Sequence, residues 1–108
     1  MTAPTALVIG ANGGMGQSVT RALLDASYRV GATVSRAEAV SAFAETFSGC
    51  AFVEPADLAN ADALRDQVAK LAERLGSLDA VVICAAVAPF SPAETTGLAD
   101  FRRTMEIN

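Results

Sequence analysis

Histidine and tryptophan are absent from these 108 residues, and tyrosine and lysine occur once each, as Tyr28 and Lys70. Without histidine, Ser-His-Asp and Cys-His nucleophilic sites are excluded. The same absence denies Cys50 and Cys84 the partner a zinc site would need, and they lack C-x-x-C spacing. Both read instead as small buried hydrophobes. Positive charge is scarce too: 8 Lys and Arg stand against 12 Asp and Glu, a formal net charge of -4. A nucleic-acid partner therefore lacks its electrostatic footprint, and attraction to an anionic membrane surface is disfavoured. No apolar run is long enough to span a bilayer. The start Met1-Thr-Ala-Pro-Thr5 has neither the charged region nor the long apolar core of a secretory signal, so a reducing cytoplasm is the expected location. Aromatics make up only 6% of the chain, so its 52% hydrophobic content is mostly Ala, Val, Leu and Ile. That is the composition of a parallel sheet covered by helices.

What is present begins with the apolar run Ala6-Leu-Val-Ile9, which breaks into Gly10-Ala-Asn12-Gly13-Gly14-Met15-Gly16 and then opens a helical pattern. This reads as a strand, a turn able to cradle phosphate, and a helix start whose backbone N–H groups face the turn. The glycines suit places where a Cβ would obstruct the turn, a pyrophosphate or helix-on-strand packing. Two spacings fit equally, G-x-x-x-G-x-G through Gly14 and G-x-x-G-x-x-G through Gly13, so the glycines alone do not choose the version of the turn.

Along the chain, Thr5 to Gly10 is the first strand. Met15, Val19, Leu23 and Ala26 then recur at three- and four-residue steps as the apolar face of a first helix. Arg29 to Val34 is a second strand, and Ala37 to Phe47 a helix with Val40, Phe43 and Phe47 inward. Cys50 to Glu54 is a third strand. A longer helix, from about Asn60 to Leu75, buries Leu64, Val68, Leu71 and Leu75 and turns Asp62, Arg65, Asp66, Lys70 and Glu73 to solvent. Leu78 to Cys84 is a fourth strand, uniformly apolar like an interior one. Pro89 and Pro92 mark a loop, and from Leu98 a last helix has Leu98, Phe101 and Met105 on one side. Asn108 falls near Phe101 around its axis, because seven residues are almost two turns.

Strand alternating with helix implies parallel strands joined by right-handed crossovers. The expected fold is a single α/β domain, a Rossmann-like doubly wound sheet of order 3-2-1-4, with the loop after the first strand at the topological switch point. In that order the fourth strand is an edge, yet Val81-Val-Ile-Cys84 carries none of the charges, prolines or bulges that blunt edges. More chain, or another copy of this one, is expected to cover it. Residues 1–108 then read as the first part of a domain truncated before its later strands.

In this context the ensemble resembles the short-chain dehydrogenase/reductase family. The family's T-G-x-x-x-G-I-G turn is matched by Ile9-Gly10-Ala-Asn-Gly-Gly14-Met15-Gly16, and its Asp-Leu pair after the third strand by Asp57-Leu58. Its Leu-Asp-x-Leu-Val-Asn-Asn-Ala-Gly strand is matched by Leu78-Asp-Ala-Val-Val-Ile-Cys-Ala-Ala86, and its Phe-x-x-x-x-x-Val-Asn helix by Phe101 to Asn108. The resemblance implies an NAD(P)-dependent oxidoreductase acting on an alcohol or carbonyl, usually as a homo-oligomer. It assigns the cofactor to Gly10, Asn12, Gly13, Gly14, Met15, Gly16, Ser35, Arg36, Asp57, Leu58, Ala85 and Ala86. Ile83-Cys84-Ala85-Ala86 departs from the usual Asn-Asn-Ala-Gly, removing asparagine hydrogen bonds and adding a methyl where the cofactor passes. Preference between the nicotinamide cofactors is set at the end of the second strand. Val34-Ser35-Arg36 offers an arginine and no acid there, and a guanidinium pairs well with a 2′-phosphate, which favours NADP(H). Arg36 also reads as a solvated residue opening the second helix, and Asp57 as a carboxylate at a helix start.

Of the family's catalytic residues, Asn108 matches the asparagine that holds a proton-relaying water. The family's serine that polarises the carbonyl and its tyrosine with a lysine four residues later have no counterpart expected here: Tyr28 is followed at that distance by Ala32, and Lys70 lies on a solvated face. The expectation is a cofactor-binding portion that is inactive alone. The alternative is a non-catalytic dinucleotide-sensing or interaction module that dimerises through its fourth strand.

Overall fold

The first strand, β1 (Thr5–Ile9), is buried at every position, which accounts for its unbroken apolar run: it lies inside a sheet covered on both faces. The structure is a computed structural model describing residues 3–84 and positions 99, 102, 105 and 106. After β1 come α1 (Gly14–Asp25), β2 (Arg29–Val34), a single 3-10 turn (Ala37–Ala39), α2 (Val40–Thr46), β3 (Phe52–Pro55), α3 (Ala61–Leu75) and β4 (Ala80–Ile83). The strands form one sheet of order β3-β2-β1-β4, parallel at every pairing, as the alternation of elements implies.

Neighbouring residues of β1 feed opposite cores, since successive strand side chains alternate between faces. On one face Val8 joins Val30, Ala32 and Val34 with Phe43 and Phe47 of the second helical segment, and Val19, Leu23 and Leu24 of α1 pack against them. On the other, Leu7 and Ile9 meet Phe52, Leu71 and Leu75, with Leu58 and Val68 alongside. Burial of a Leu or Val side chain contributes about 1.5–3 kcal/mol, so this double cover anchors the domain. Gly31 makes room on the α3 face: a Cβ there would come within 2.2 Å of the Phe52 ring. Arg74 lies over that ring, 4.3 Å from its centroid, and pairs with Glu54 at 2.7 Å.

Two expectations are corrected. Met15 is 72% exposed and does not belong to the buried face of α1, which runs through Gly16 and Thr20. Gly16 draws the helix against β1 at its own position, and a neighbour one residue earlier is turned about 100° away. β4 alternates half-buried and exposed residues, and Val81 and Ile83 are 46% and 70% exposed. Their partners on β1 are Leu7 and Ile9, which places them on the α3 face, where a groove runs between them and Leu64 and Val68. β4 is the edge strand that the order 3-2-1-4 implies, but among the described residues its α3-side face is exposed and not buried as its apolar run suggests. Met105, helical, is likewise 67% exposed. The loop at Pro89 and Pro92, Leu98 and Phe101 lie outside the described residues.

Candidate functional site

Gly10 ends β1 with a φ of 79°, a left-handed conformation that glycine adopts without penalty. Its N–H donates to the hydroxyl of buried Thr33 at 3.2 Å, and the N–H of Ala11 donates to the Thr33 carbonyl at 2.8 Å. The turn is therefore pinned to β2. At Gly16 a Cβ would lie 2.4 Å from the Gly10 carbonyl oxygen and 2.6 Å from Ala11 Cα, so only glycine lets α1 begin this close to the strand. Thr20 donates its hydroxyl to the Gly16 carbonyl at 2.7 Å.

Between these fixed points the turn is open. Gly13, in extended conformation, caps α1 with no side-chain hydrogen bond. A Cβ on either Gly13 or Gly14 would meet nothing within 4 Å. Packing thus constrains the two glycines that both candidate spacings share, while Gly13 and Gly14 are alike in facing open space. The first N–H groups of a helix have no intrahelical partner, and the macrodipole adds positive potential there. Uncapped, with small residues in front and Met15 exposed beside it, the start of α1 offers donors to an anion. A pyrophosphate fits such a cradle.

Asn12 links this turn to the end of β2. Its Nδ2 donates to Ser35 Oγ at 3.0 Å, and its Oδ1 accepts from the Ser35 backbone N–H at 3.2 Å. Gln17 Nε2 donates to the Asn12 carbonyl at 2.9 Å. Arg36 follows in extended conformation at the head of the 3-10 turn, exposed to solvent. The structure therefore brings Gly10, Asn12, Gly13, Gly14, Met15, Gly16, Ser35 and Arg36 to one end of the sheet, the ends where the strands finish.

Asp57 lies just beyond β3 at that same end. It is exposed, and its Oδ1 accepts from the Ala59 N–H at 3.0 Å. Asn60 caps α3, accepting from the Ala63 N–H at 3.1 Å, so the cap belongs to Asn60 and Asp57 serves the turn before it. Leu58 packs partly buried against the α3-side core. Ala85, Ala86 and Asn108 lie outside the described residues. Two contributors escaped the sequence reading. Thr33 is the one hydroxyl residue inside β2, and that was its signal. Gln17 had none, since a glutamine early in a helix is ordinary. No helix among the described residues is long and apolar enough to cross a membrane.

Comparison with known proteins agrees with this geometry. No curated protein matches. Among solved structures, a doubly substituted variant of a Serratia marcescens short-chain dehydrogenase/reductase is 29% identical with a TM-score of 0.83, covering 96% of this chain and 44% of its own. A Brucella melitensis short-chain dehydrogenase/reductase described as a glucose/ribitol dehydrogenase is 29% identical at a TM-score of 0.83, over 96% of this chain and 45% of that one. A blue fluorescent protein from a metagenomic library, solved with NADPH, is 25% identical at 0.83, over 96% and 44%. The chain thus spans under half the length of these structures. The family model described as short chain dehydrogenase matches residues 4–108, and on that match, with the sheet order and glycine turn above, the chain belongs to the short-chain dehydrogenase family.

Proposed function

We propose that this chain is the cofactor-binding portion of an NAD(P)(H)-dependent oxidoreductase that works on an alcohol or carbonyl, with NADP(H) preferred. The observation that carries the reading is the end of the sheet where α1 starts uncapped behind Gly13 and Gly14, beside exposed Arg36 and with no acid on Ser35 or Arg36. Bound there, the nicotinamide supplies hydride transfer to or from the substrate carbon. The chain's own residues bind and orient. N–H groups at the start of α1 hold the pyrophosphate, Gly10 and Gly16 set the depth of the turn, and Arg36 receives the 2′-phosphate as a charge-assisted fork. Asp57, Leu58, Ala85 and Ala86 line the adenine and ribose path, and Asn108 belongs to a proton path. A related fold solved with NADPH supports the choice of cofactor class.

Alone, the chain binds the dinucleotide and does not turn over, for want of a tyrosine with a lysine four residues later. Fluorescence titration with NADPH and NADH tests the reading. Arg36→Asp should shift the ratio of the two affinities toward NADH by about tenfold or more. An unmoved ratio removes Arg36 from the account, and no saturation by either cofactor removes the site. Exposure of Val81 and Ile83 on β4 favours a second reading, a dinucleotide-sensing module that pairs through this strand. Sedimentation of the chain as a dimer that Val81→Lys makes monomeric would support it.

A further inference from the structure

The hydrogen bonds around Asn12 carry an inference that rests on the Arg36 reading above. Gln17, Asn12 and Ser35 form a continuous chain from the first turn of α1, through the glycine turn, to the residue before Arg36. Asn12 uses both ends of its amide on the same partner, Oδ1 toward the Ser35 N–H and Nδ2 toward its hydroxyl. This double contact holds the N–H side of the peptide between Val34 and Ser35, while the Ala56 N–H donates to its carbonyl at 2.9 Å. Arg36 follows that peptide in extended conformation, so Asn12, together with the Ala56 bond, directs how its backbone departs from β2. The anion cradle at α1 and the arginine stand on separate segments; Thr33 pins the turn to β2, and Asn12 extends that tie past the end of the strand to Ser35, the residue next to Arg36.

We propose that Asn12 is a positioning residue for cofactor discrimination. It holds Ser35 and Arg36 at a fixed distance from the glycine turn, so that a dinucleotide whose pyrophosphate sits on α1 presents its 2′-phosphate to a pre-placed guanidinium. Gln17 steadies Asn12 from behind through its carbonyl. Preorganisation of this kind lowers the ordering cost of binding rather than adding a contact. Its loss therefore falls on NADPH more than on NADH.

The test combines backbone amide exchange with cofactor titration on the purified chain. In Asn12→Ala the Ser35 N–H should exchange faster, and the NADPH-to-NADH affinity ratio should fall about three- to tenfold, the worth of ordering one long side chain. Gln17→Ala, which leaves both Ser35 contacts in place, should lower the ratio by less. In an Arg36→Ala background, Asn12→Ala should no longer change the ratio, because the two act through one interaction. Faster Ser35 exchange with an unmoved ratio, while Arg36→Ala alone does move it, overturns the proposal and leaves the arginine reading standing. Equal loss of both cofactors assigns Asn12 to direct cofactor contact and overturns it as well. If Arg36→Ala leaves the ratio unmoved, the arginine reading fails and takes this inference with it.

Discussion

The two ends of the sheet handle their loose backbone groups in opposite ways. Where the strands begin, the protein closes on itself. Asp79 Oδ2 accepts from the Thr5 N–H at 2.8 Å and lies 3.2 Å from the Thr5 hydroxyl. That hydroxyl also donates to the Ser77 carbonyl at 2.7 Å. Arg29 reaches across to donate to the carbonyls of Leu75 and Arg74, at 2.6 and 3.2 Å, satisfying the C-terminus of α3, and Gly76 completes the stop with a φ of 84°. Where the strands finish, α1 starts with no side-chain cap and with two glycines in open space. At the first end these groups find partners within the chain; at the other, where Asn12 and Thr33 pin the turn, the start of α1 has no side-chain cap, and the proposed cofactor site lies there. Within a single small sheet, the contacts that close the chain on itself and the proposed cofactor site are separated by the length of a strand.

The sharpest way to break this separation uses two glycines of the same turn. Gly16→Ala sets a methyl against the Gly10 carbonyl and forces α1 off β1, so it should destabilise the chain by about 3 kcal/mol and abolish cofactor binding. Gly14→Ala meets no protein atom and places a better helix former inside α1, so stability should be unchanged or rise by up to about 1 kcal/mol. Its dinucleotide affinity should nevertheless fall about tenfold, as charge-assisted bonds to phosphate are lost. Urea melts and NADPH titrations on both variants decide the matter. If Gly14→Ala binds normally, the open space in front of α1 is not where the dinucleotide lies.

The opposite end gives the complementary case. Asp79→Ala removes the acceptor of the buried Thr5 N–H and should cost about 1–2 kcal/mol while leaving cofactor affinity as it was. A fall in affinity beyond that expected from partial unfolding would mean that the two ends are coupled.

Much of this was legible in the sequence because hydrophobic continuity and glycine placement report directly on packing. The run Ala6 to Ile9 announced a strand buried on both faces, and the order of elements implied the order of strands. Phe43, Phe47, Leu71 and Leu75 came out buried as their spacing required. Met15 misled, since its position in an apolar repeat says nothing of how closely Gly16 lets the helix approach. Periodicity cannot see a missing Cβ acting as a contact. The Asn12–Ser35 link was hidden for a different reason: each residue was legible as a site candidate, but their pairing depends on register between β1 and β2, which sets Ile9 against Thr33. Of the two readings of Asp57, the carboxylate at a helix start gives way to Asn60, which stands immediately before the helix and caps it; the cofactor reading is a matter for the titrations above.

The smallest expected effect belongs to Cys50, which sits before β3 at the closed end and is half-buried. Burial pushes its thiol above the ordinary value of 9.0, with the nearby Arg21 guanidinium pulling in the opposite direction. Folded and unfolded chains therefore bind the proton equally well below that value. As pH rises past 9.0, the unfolded thiol ionises first, the native state holds more protons, and stability must fall until the folded thiol ionises too. Denaturation profiles of the wild type and Cys50→Ala should run parallel at neutral pH and converge above pH 9.0 as the wild type loses ground faster. Arg21→Gln should steepen the wild-type loss, because it removes the one charge that favours the thiolate. Parallel profiles throughout the alkaline range would mean that water reaches Cys50 and that the closed end is looser than its hydrogen bonds imply.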